Sequence, residues 1–170
     1  MTEKALTSFV VAREKKQVTM TRIFNAPREL VFKICKDIKL IPQWWGNRDR
    51  TLAVDKMDFK PGGAWRYIQK DDSGSEYVFS GPYREIVLPE RIVSTYKAPS
   101  GQELIKTYVF EEKNERTKLS DIRAFQTVED LEGTLKAGME LGMRASMERL
   151  AELVEKIQNR QPEQYIIPPL

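Results

Sequence analysis

The feature that most constrains the fold is a run of short alternating segments followed by one long amphipathic segment. Turn sequences such as Pro61-Gly62-Gly63 and Asp72-Ser73-Gly74 separate the alternating segments. Connections this short predict antiparallel hairpins or a meander. The period-two pattern and the β-branched and aromatic content predict six strands, at residues 51–55, 64–70, 76–86, 91–97, 104–112 and 118–127.

One more strand and two short helices are predicted before these segments. Residues 17–24 are typical of a strand with both faces partly apolar, which brings the predicted sheet to seven strands. Proline suits a first helical turn and an acidic residue complements the helix dipole, so Pro27 and Glu29 favour a helix start. That helix is predicted to end near Cys35 or Lys36, and a second short helix is predicted at about 38–43.

The last long element is a helix predicted over residues 128–158, where apolar residues recur every three or four positions. Gly138 and Gly142 each disfavour a helix interior by ~1 kcal/mol relative to alanine. Their presence indicates a close approach of another backbone or of a ligand. An antiparallel sheet has one face to cover, and this helix is the element available, so the predicted fold class is α+β.

The chain is long enough for one domain with a sizeable core. We predict that domain over residues 17–158, with an N-terminal extension at 1–16 and a C-terminal tail at 159–170. Prolines prevent the tail from continuing the helix. Its apolar patch, Tyr165-Ile166-Ile167, is expected to pack on the domain or on a partner.

The composition excludes several kinds of site. The chain has no histidine and one cysteine, which removes Ser-His-Asp and Cys-His catalysis, histidine metal sites and an internal disulfide. We therefore expect no metal and no cofactor. Cys35 falls in an apolar helical stretch and is expected to be a buried structural thiol.

Charge and hydropathy exclude two classes of partner. The net charge is +3, and basic residues alternate with acidic ones. No basic block with interleaved aromatic residues is present, so no nucleic-acid partner is expected. The apolar runs fall far short of the ~18 residues needed to span a bilayer. With no recognisable secretory signal, the expectation is a cytoplasmic protein that does not insert into membranes.

A set of short motifs gives the chain a family resemblance. In order they are FNAPRELVF at 24–32, WWG at 44–46, DFKPGGAWR at 58–66, FSGPYREI at 79–86, PERIV at 89–93 and GMRASMERL at 142–150. Together they resemble the START-like (SRPBCC) superfamily, whose helix-grip fold is also known from the birch-pollen allergen. Within it, the chain is similar to the branch of the activator homologue of the heat-shock-protein-90 ATPase. The resemblance covers residues 17–158.

This resemblance implies a seven-stranded sheet curved around the C-terminal helix, with a hydrophobic cavity between them. Members bind lipids, hormones, polyketides or other apolar molecules, and a minority catalyse cyclisation or hydrolysis. Met143 stands where relatives often carry tryptophan, which implies a softer pocket. The expected ligand-binding residues are Trp45, Trp65, Tyr67, Phe79, Tyr83, Tyr96, Tyr108, Met139, Met143 and Met147. The methionine stripe also suits plain core packing, and the two roles are compatible.

Two local patterns leave alternatives open. Trp44 and Trp45 are adjacent and cannot both fill one core face; we expect Trp45 at the cavity mouth, and Trp44 capping the short helices or partly exposed. Asp121 and Arg123 lie two apart on a predicted strand and share a face. We favour solvated surface charges for this pair, with an anchor for a polar group in the cavity as the alternative.

Three functions follow from these expectations. The first is non-catalytic binding of a small hydrophobic ligand. The second is a polyketide-cyclase-like enzyme, which without histidine would use tyrosine, arginine or carboxylate groups of shifted pKa. The third is a chaperone-interacting module like the activator for which the branch is named; it ranks last because the chain lacks a second domain. A homodimer is an open alternative for the assembly.

Overall fold

A computed structural model describes residues 6–160 of the chain. Its eight strands form one antiparallel sheet in the order β1-β2-β8-β7-β6-β5-β4-β3. The tail patch at 165–167 lies outside the described residues. The strands are β1 Thr7–Ala12, β2 Gln17–Phe24, β3 Thr51–Met57, β4 Ala64–Lys70, β5 Glu76–Val87, β6 Arg91–Lys97, β7 Glu103–Lys113 and β8 Arg116–Phe125.

The α+β prediction is confirmed, but the strand count of seven was wrong by one. The additional strand is β1, which lies within the predicted N-terminal extension and pairs with β2 along its length. Phe9 and Val11 pack against the core, whereas Val10 on the opposite face is 58% exposed. Because an apolar residue occupies the solvent face of this edge strand, the segment lacks the alternation that identifies the other strands.

Two short helices follow β2 as predicted. Helix α1 spans Arg28–Lys36 and begins directly after Pro27, whose extended backbone (φ −68°, ψ 153°) caps the helix. It buries Leu30, Phe32 and Ile34 among others on its apolar face. Helix α2 spans only Ile41–Trp44, with proline in its first turn. This helix starts three residues later than predicted because Pro42 is tolerated only near a helix start.

The long C-terminal helix is in fact two helices. Helix α3 spans Val128–Lys136 and helix α4 spans Met139–Arg160. Gly138, between them, has a φ of 94°, in the left-handed region that glycine tolerates best. The prediction of one helix over 128–158 was therefore wrong. The four-residue spacing from Leu135 to Met139 continues across the break, so the periodicity does not reveal it.

Helix α4 covers one face of the sheet and completes the core. Its buried residues, which include Met147, Leu150 and Val154, belong to one apolar cluster that also contains Met20 of β2 and Phe110 of β7. The helix also packs against α2 and α1. None of the helices in residues 6–160 has the length and apolar character needed to span a membrane. The face of the sheet under α4 therefore carries the site described next.

Candidate functional site

An outer cavity of about 420 Å³ lies between the sheet and the junction of α3 with α4. Its sheet wall is formed by residues such as Phe79, Tyr96 and Leu104, and its helix wall includes Met139 and Met143. The break between the two helices is part of this wall, since Ala137 and Gly138 both line the cavity. The glycine that ends α3 therefore also shapes the cavity.

An inner cavity of about 50 Å³ lies beside the outer one. Trp45 lines both cavities and separates them. Its ring meets those of Tyr67 and Phe79 edge-to-face, with centroids 5.2 and 5.0 Å apart. Edge-to-face pairs at these distances are favourable beyond the area they bury. The inner cavity is lined by Cys35, Trp44, Trp65, Tyr67, Tyr83, Lys106 and Tyr108, among others.

The loop that carries the two tryptophans is held by helix α4. The Arg149 guanidinium donates hydrogen bonds to the backbone carbonyls of Trp45 and Gly46 at 3.2 and 2.8 Å, and also to those of neighbouring loop residues. The backbone N–H of Gly46 donates to Ser146 Oγ at 2.8 Å. These bonds join the partition between the cavities to the helix that covers the sheet. Sequence reasoning missed Arg149, because one arginine on a helix gives no signal of the loop it binds.

A buried charged pair lies on the cavity side of β8. The side chains of Asp121 and Arg123 are only 6% and 12% exposed, and Arg123 Nη2 lies 3.1 Å from Asp121 Oδ2. Burial acts against the charge on Arg123, but Asp121 outweighs it and raises the arginine pKa above its usual value. The expectation of solvated charges was wrong. The apolar residues Leu119 and Phe125 share that strand face and are buried. Their apolar type, at alternate positions around the pair, is the only sequence signal for burial of this face.

Lys106 of β7 is the unusual residue of the site. It is 6% exposed and lines the inner cavity. Its Nζ lies 4.6, 5.4 and 5.7 Å from the ring centroids of Tyr108, Tyr96 and Trp45. Among residues 6–160 it has neither a hydrogen bond nor an ion pair. Burial lowers the pKa of Lys106 to about 7, against the opposing attraction of Asp121.

Lys106 was not among the predicted site residues, although a signal for it exists. The alternating residues Leu104, Lys106, Tyr108 and Phe110 share one face of β7, and a lysine interrupts an otherwise apolar row. Surface lysines commonly interrupt such rows, so the pattern alone does not separate a buried lysine from an exposed one. The positions of the neighbouring strands decide that this face is the covered one.

The structure places nine of the ten predicted residues in the cavity walls. The inner cavity has Trp65, Tyr67, Tyr83 and Tyr108, the outer one has Phe79, Tyr96, Met139 and Met143, and Trp45 lines both. Met147 lines neither cavity and is buried in the core. That these residues bind a ligand stays a prediction.

Two single-residue expectations can be compared with the structure. Trp44 is 3% exposed and lines the inner cavity, so its expected partial exposure was wrong. Trp44 is the last residue of α2 and one of the two residues that this short helix buries. Cys35 is buried, and burial raises the pKa of its thiol far above the usual value, as expected of a structural cysteine. Residues 6–160 hold no cluster of three acidic or cysteine side chains suited to a metal.

The antiparallel sheet, the helix that covers it and the cavity between them define a START-like helix-grip protein. The family model described as "Activator of Hsp90 ATPase homolog 1-like protein" matches residues 25–155. The chain belongs to this family. The match excludes β1 and β2, which lie before residue 25. No curated protein sequence matches the chain.

Solved structures share the fold at low sequence identity. A protein from Arthrobacter aurescens has 20% identity over 95% of this chain and 98% of its own, with a TM-score of 0.83. A protein from Mycobacterium smegmatis has 19% identity over 86% and 95% of the two chains, with a TM-score of 0.78. DynU16, from the dynemicin biosynthetic locus, has 20% identity over 82% of this chain and 47% of its own, with a TM-score of 0.62. At these identities the likeness concerns the fold.

Proposed function

We propose that the protein binds a small, largely hydrophobic molecule in the outer cavity without transforming it. The observation that carries this proposal is the cavity of about 420 Å³ under helix α4. Its volume lies in the range of small-molecule sites, which are mostly apolar with a few polar groups. The apolar wall includes Phe79, Leu104, Met139 and Met143, and the polar groups include Arg123 and Gln102.

The two walls of the cavity support binding in different ways. On the sheet side, Phe79 and Tyr96 pack with ring centroids 5.7 Å apart, and Trp65 lies 5.8 Å from Tyr96. Interlocked rings give a rigid surface. On the helix side, Met139 and Met143 are unbranched and polarisable, so they adapt to ligands of different shape. Such a cavity suits a class of apolar molecules rather than one molecule.

A melting experiment with a cavity-filling variant tests this proposal. A panel that contains 1-decanol, longer lipids and flat polyphenols should include ligands that raise the melting temperature, because binding to the folded state alone stabilises it. Met143→Trp should remove that rise by filling the cavity. Leu141→Trp is the matched control, since Leu141 lies on the same helix but is 73% exposed. If no ligand of the panel raises the melting temperature and none co-purifies by native mass spectrometry, the proposal fails.

A polyketide-cyclase-like enzyme is the second candidate, and one observation favours it. Lys106 and the Asp121–Arg123 pair are ionisable groups brought together beside the cavities. A lysine with a pKa of about 7 is partly neutral at physiological pH and can accept a proton. Formation of a cyclised product from a linear poly-β-carbonyl thioester, lost in Lys106→Met, would favour the enzyme over the binder.

A chaperone-interacting module is the third candidate, and its support is the name of the family. Retention of the protein on immobilised Hsp90, together with no response to any hydrophobic ligand, would replace the binding proposal with this one. The cytoplasmic location and the homodimer stay predictions. Gel filtration with light scattering measures the oligomeric state directly.

A further inference from the structure

Three residues that line the inner cavity carry a hydrogen-bond donor with no acceptor among residues 6–160. The indole N–H groups of Trp44 and Trp65 are buried without a partner among residues 6–160. The Lys106 ammonium makes no hydrogen bond or ion pair with any residue in 6–160; three aromatic rings lie against it, and Cys35, Asp121 and Arg123 are close enough to act on its charge. The three residues are 3%, 5% and 6% exposed. Buried donors without acceptors are rare and costly, and each calls for an explanation.

The charges around Lys106 do not balance. Lys106 and Arg123 face each other across the β7–β8 ladder, and Tyr108 faces Asp121. The Asp121 carboxylate is occupied by Arg123, which donates to its two oxygens at 3.3 and 3.1 Å. When Lys106 is protonated, one carboxylate therefore stands against two cations in this cluster of the described residues. A single negative charge supplied from outside would complete the cluster.

The two cavities differ in size in a way that matches an amphipathic molecule. The inner cavity, of about 50 Å³, has room for a group of a few atoms, whereas the outer one, of about 420 Å³, has room for a long or ring-shaped body. Lys106 Nζ lies near the rings of Trp45 and Tyr96, which line the outer cavity. A headgroup at Lys106 would thus leave its apolar chain in the outer cavity.

We infer that the ligand is an apolar molecule with one carboxylate, and that the Lys106 ammonium is the residue that anchors the carboxylate. A carboxylate is negatively charged and accepts hydrogen bonds only, so it matches an ammonium that lines the cavity without an acceptor among residues 6–160. This inference rests on the proposed function, because it assigns the headgroup of a ligand whose body occupies the outer cavity. Trp45 is the residue past which the chain of the ligand would run.

The inference has a consequence for protons. Burial lowers the pKa of Lys106 to about 7, so the free protein holds this amine about half neutral at pH 7. A bound carboxylate favours the charged amine, and the complex then takes up a proton. Affinity for the carboxylate is strongest below pH 7, where the amine is already charged, and falls about tenfold per pH unit above it.

Other ionisable groups also face Lys106. Burial raises the pKa of the tyrosine hydroxyls and of the cysteine thiol, which keeps them neutral between pH 6 and 8. The arginine keeps its charge over the same interval. These groups are Cys35 from α1, Tyr67 from β4, Tyr83 from β5, Tyr96 from β6, Tyr108 from β7, and the paired Asp121 and Arg123 from β8.

Calorimetry with two probes of equal chain length tests the inference. We expect decanoate to bind at least about tenfold more tightly than 1-decanol at pH 6, since a charge-assisted contact distinguishes them. Titrations in two buffers of different ionisation enthalpy, phosphate and Tris at pH 8 and phosphate and Bis-Tris at pH 6, measure proton exchange. Decanoate should bring uptake of about nine-tenths of a proton at pH 8 and about one-tenth at pH 6, given a pKa of about 7. The alcohol should bring none.

The matched variants are Lys106→Met and Lys97→Met, the second at an exposed lysine near the end of β6. Lys106→Met should bind both probes equally and exchange no proton, and its melting temperature should rise because a buried charge is removed. Lys97→Met should behave like the wild type. If Lys106→Met does not fold, Lys106→Gln, which keeps a polar end without the charge, takes its place in the same comparison of the two probes.

The outcomes separate the two proposals. If the wild-type protein binds 1-decanol and decanoate equally at pH 6, the carboxylate inference is overturned and the hydrophobic binder stands. A preference for decanoate that persists in folded Lys106→Met overturns the role of this lysine. If neither probe binds and no ligand of the larger panel raises the melting temperature, both proposals fail together.

Discussion

The inner and outer cavities share the ring of Trp45 as a wall, yet they are built in opposite ways. The inner cavity is small and walled largely by strand residues; its lining includes Lys106 and two tryptophans whose indole N–H groups have no partner among residues 6–160. The outer cavity is larger, and one wall is the broken helix with its methionines. Burial of apolar area contributes affinity for any apolar ligand, because the hydrophobic effect is non-directional. Buried hydrogen-bond donors instead favour ligands that carry an acceptor. The comparison assigns affinity to the outer cavity and selectivity to the inner one.

The largest expected effect comes from the two adjacent tryptophans. Trp44→Ala and Trp45→Ala should each lower the free energy of unfolding by about 3–5 kcal/mol, because both remove a large buried ring. Only Trp45→Ala should also weaken binding of 1-decanol, because Trp44 lines the inner cavity alone. Urea denaturation and calorimetry measure the two quantities. Equal losses of affinity would mean that Trp45 does not separate two distinct cavities.

A smaller effect is expected at the buried charged pair. Asp121→Ala should lower the free energy of unfolding by about 2–4 kcal/mol, because Arg123 and Lys106 would then stand buried without a negative charge. Asp55→Ala is the matched control. It removes the partner of Arg66 at 2.8 Å, but both side chains are more than 40% exposed, and such pairs contribute at most about 1 kcal/mol. Similar losses in urea denaturation would contradict the buried character of the cluster.

The smallest expected effects on stability concern two glycines, Gly133 within α3 and Gly138 just after its end. Gly138→Ala should lower the free energy of unfolding by about 1–2 kcal/mol, because alanine disfavours the left-handed backbone at φ 94°. Gly133→Ala should instead raise it by about 0.5–1 kcal/mol. Gly133 lies within α3, and an added Cβ meets no other atom within 4 Å. If both substitutions stabilise the protein, residue 138 does not need the left-handed backbone conformation at the end of α3.

Much of the fold could be predicted because its signals are local. Alternation identified every strand of the sheet except β1, where Val10 places an apolar side chain on the solvent face. The start of α1 was predicted from the residue types of Pro27 and Glu29, although Pro27 caps the helix instead of lying in its first turn. The helix break at Gly138 was missed, since the apolar spacing of α3 continues into α4. A glycine tolerated within a helix and a glycine that ends one look alike in a sequence.

Only part of the candidate site could be predicted, again because the signals in a sequence are local. Aromatic and methionine residues indicate an apolar face by type alone, and nine of the ten named residues do line a cavity. Residue type does not indicate burial for a charged side chain. Lys106 was overlooked and the Asp121–Arg123 pair was assigned to solvent, because charged residues are rarely buried and their surroundings come from distant strands.

By itself the sequence determined the fold class, the position of most elements and the absence of histidine and disulfide chemistry, because these depend on residue type and on near neighbours. The tertiary structure alone decided which sheet face is covered, where the cavities lie and which charges are buried. The alternation of apolar and polar residues along a strand does not show which face of the sheet is covered. The position of α4 in the folded protein determines it. That position turns Lys106 from an ordinary lysine into a buried amine with no ion-pair partner among residues 6–160.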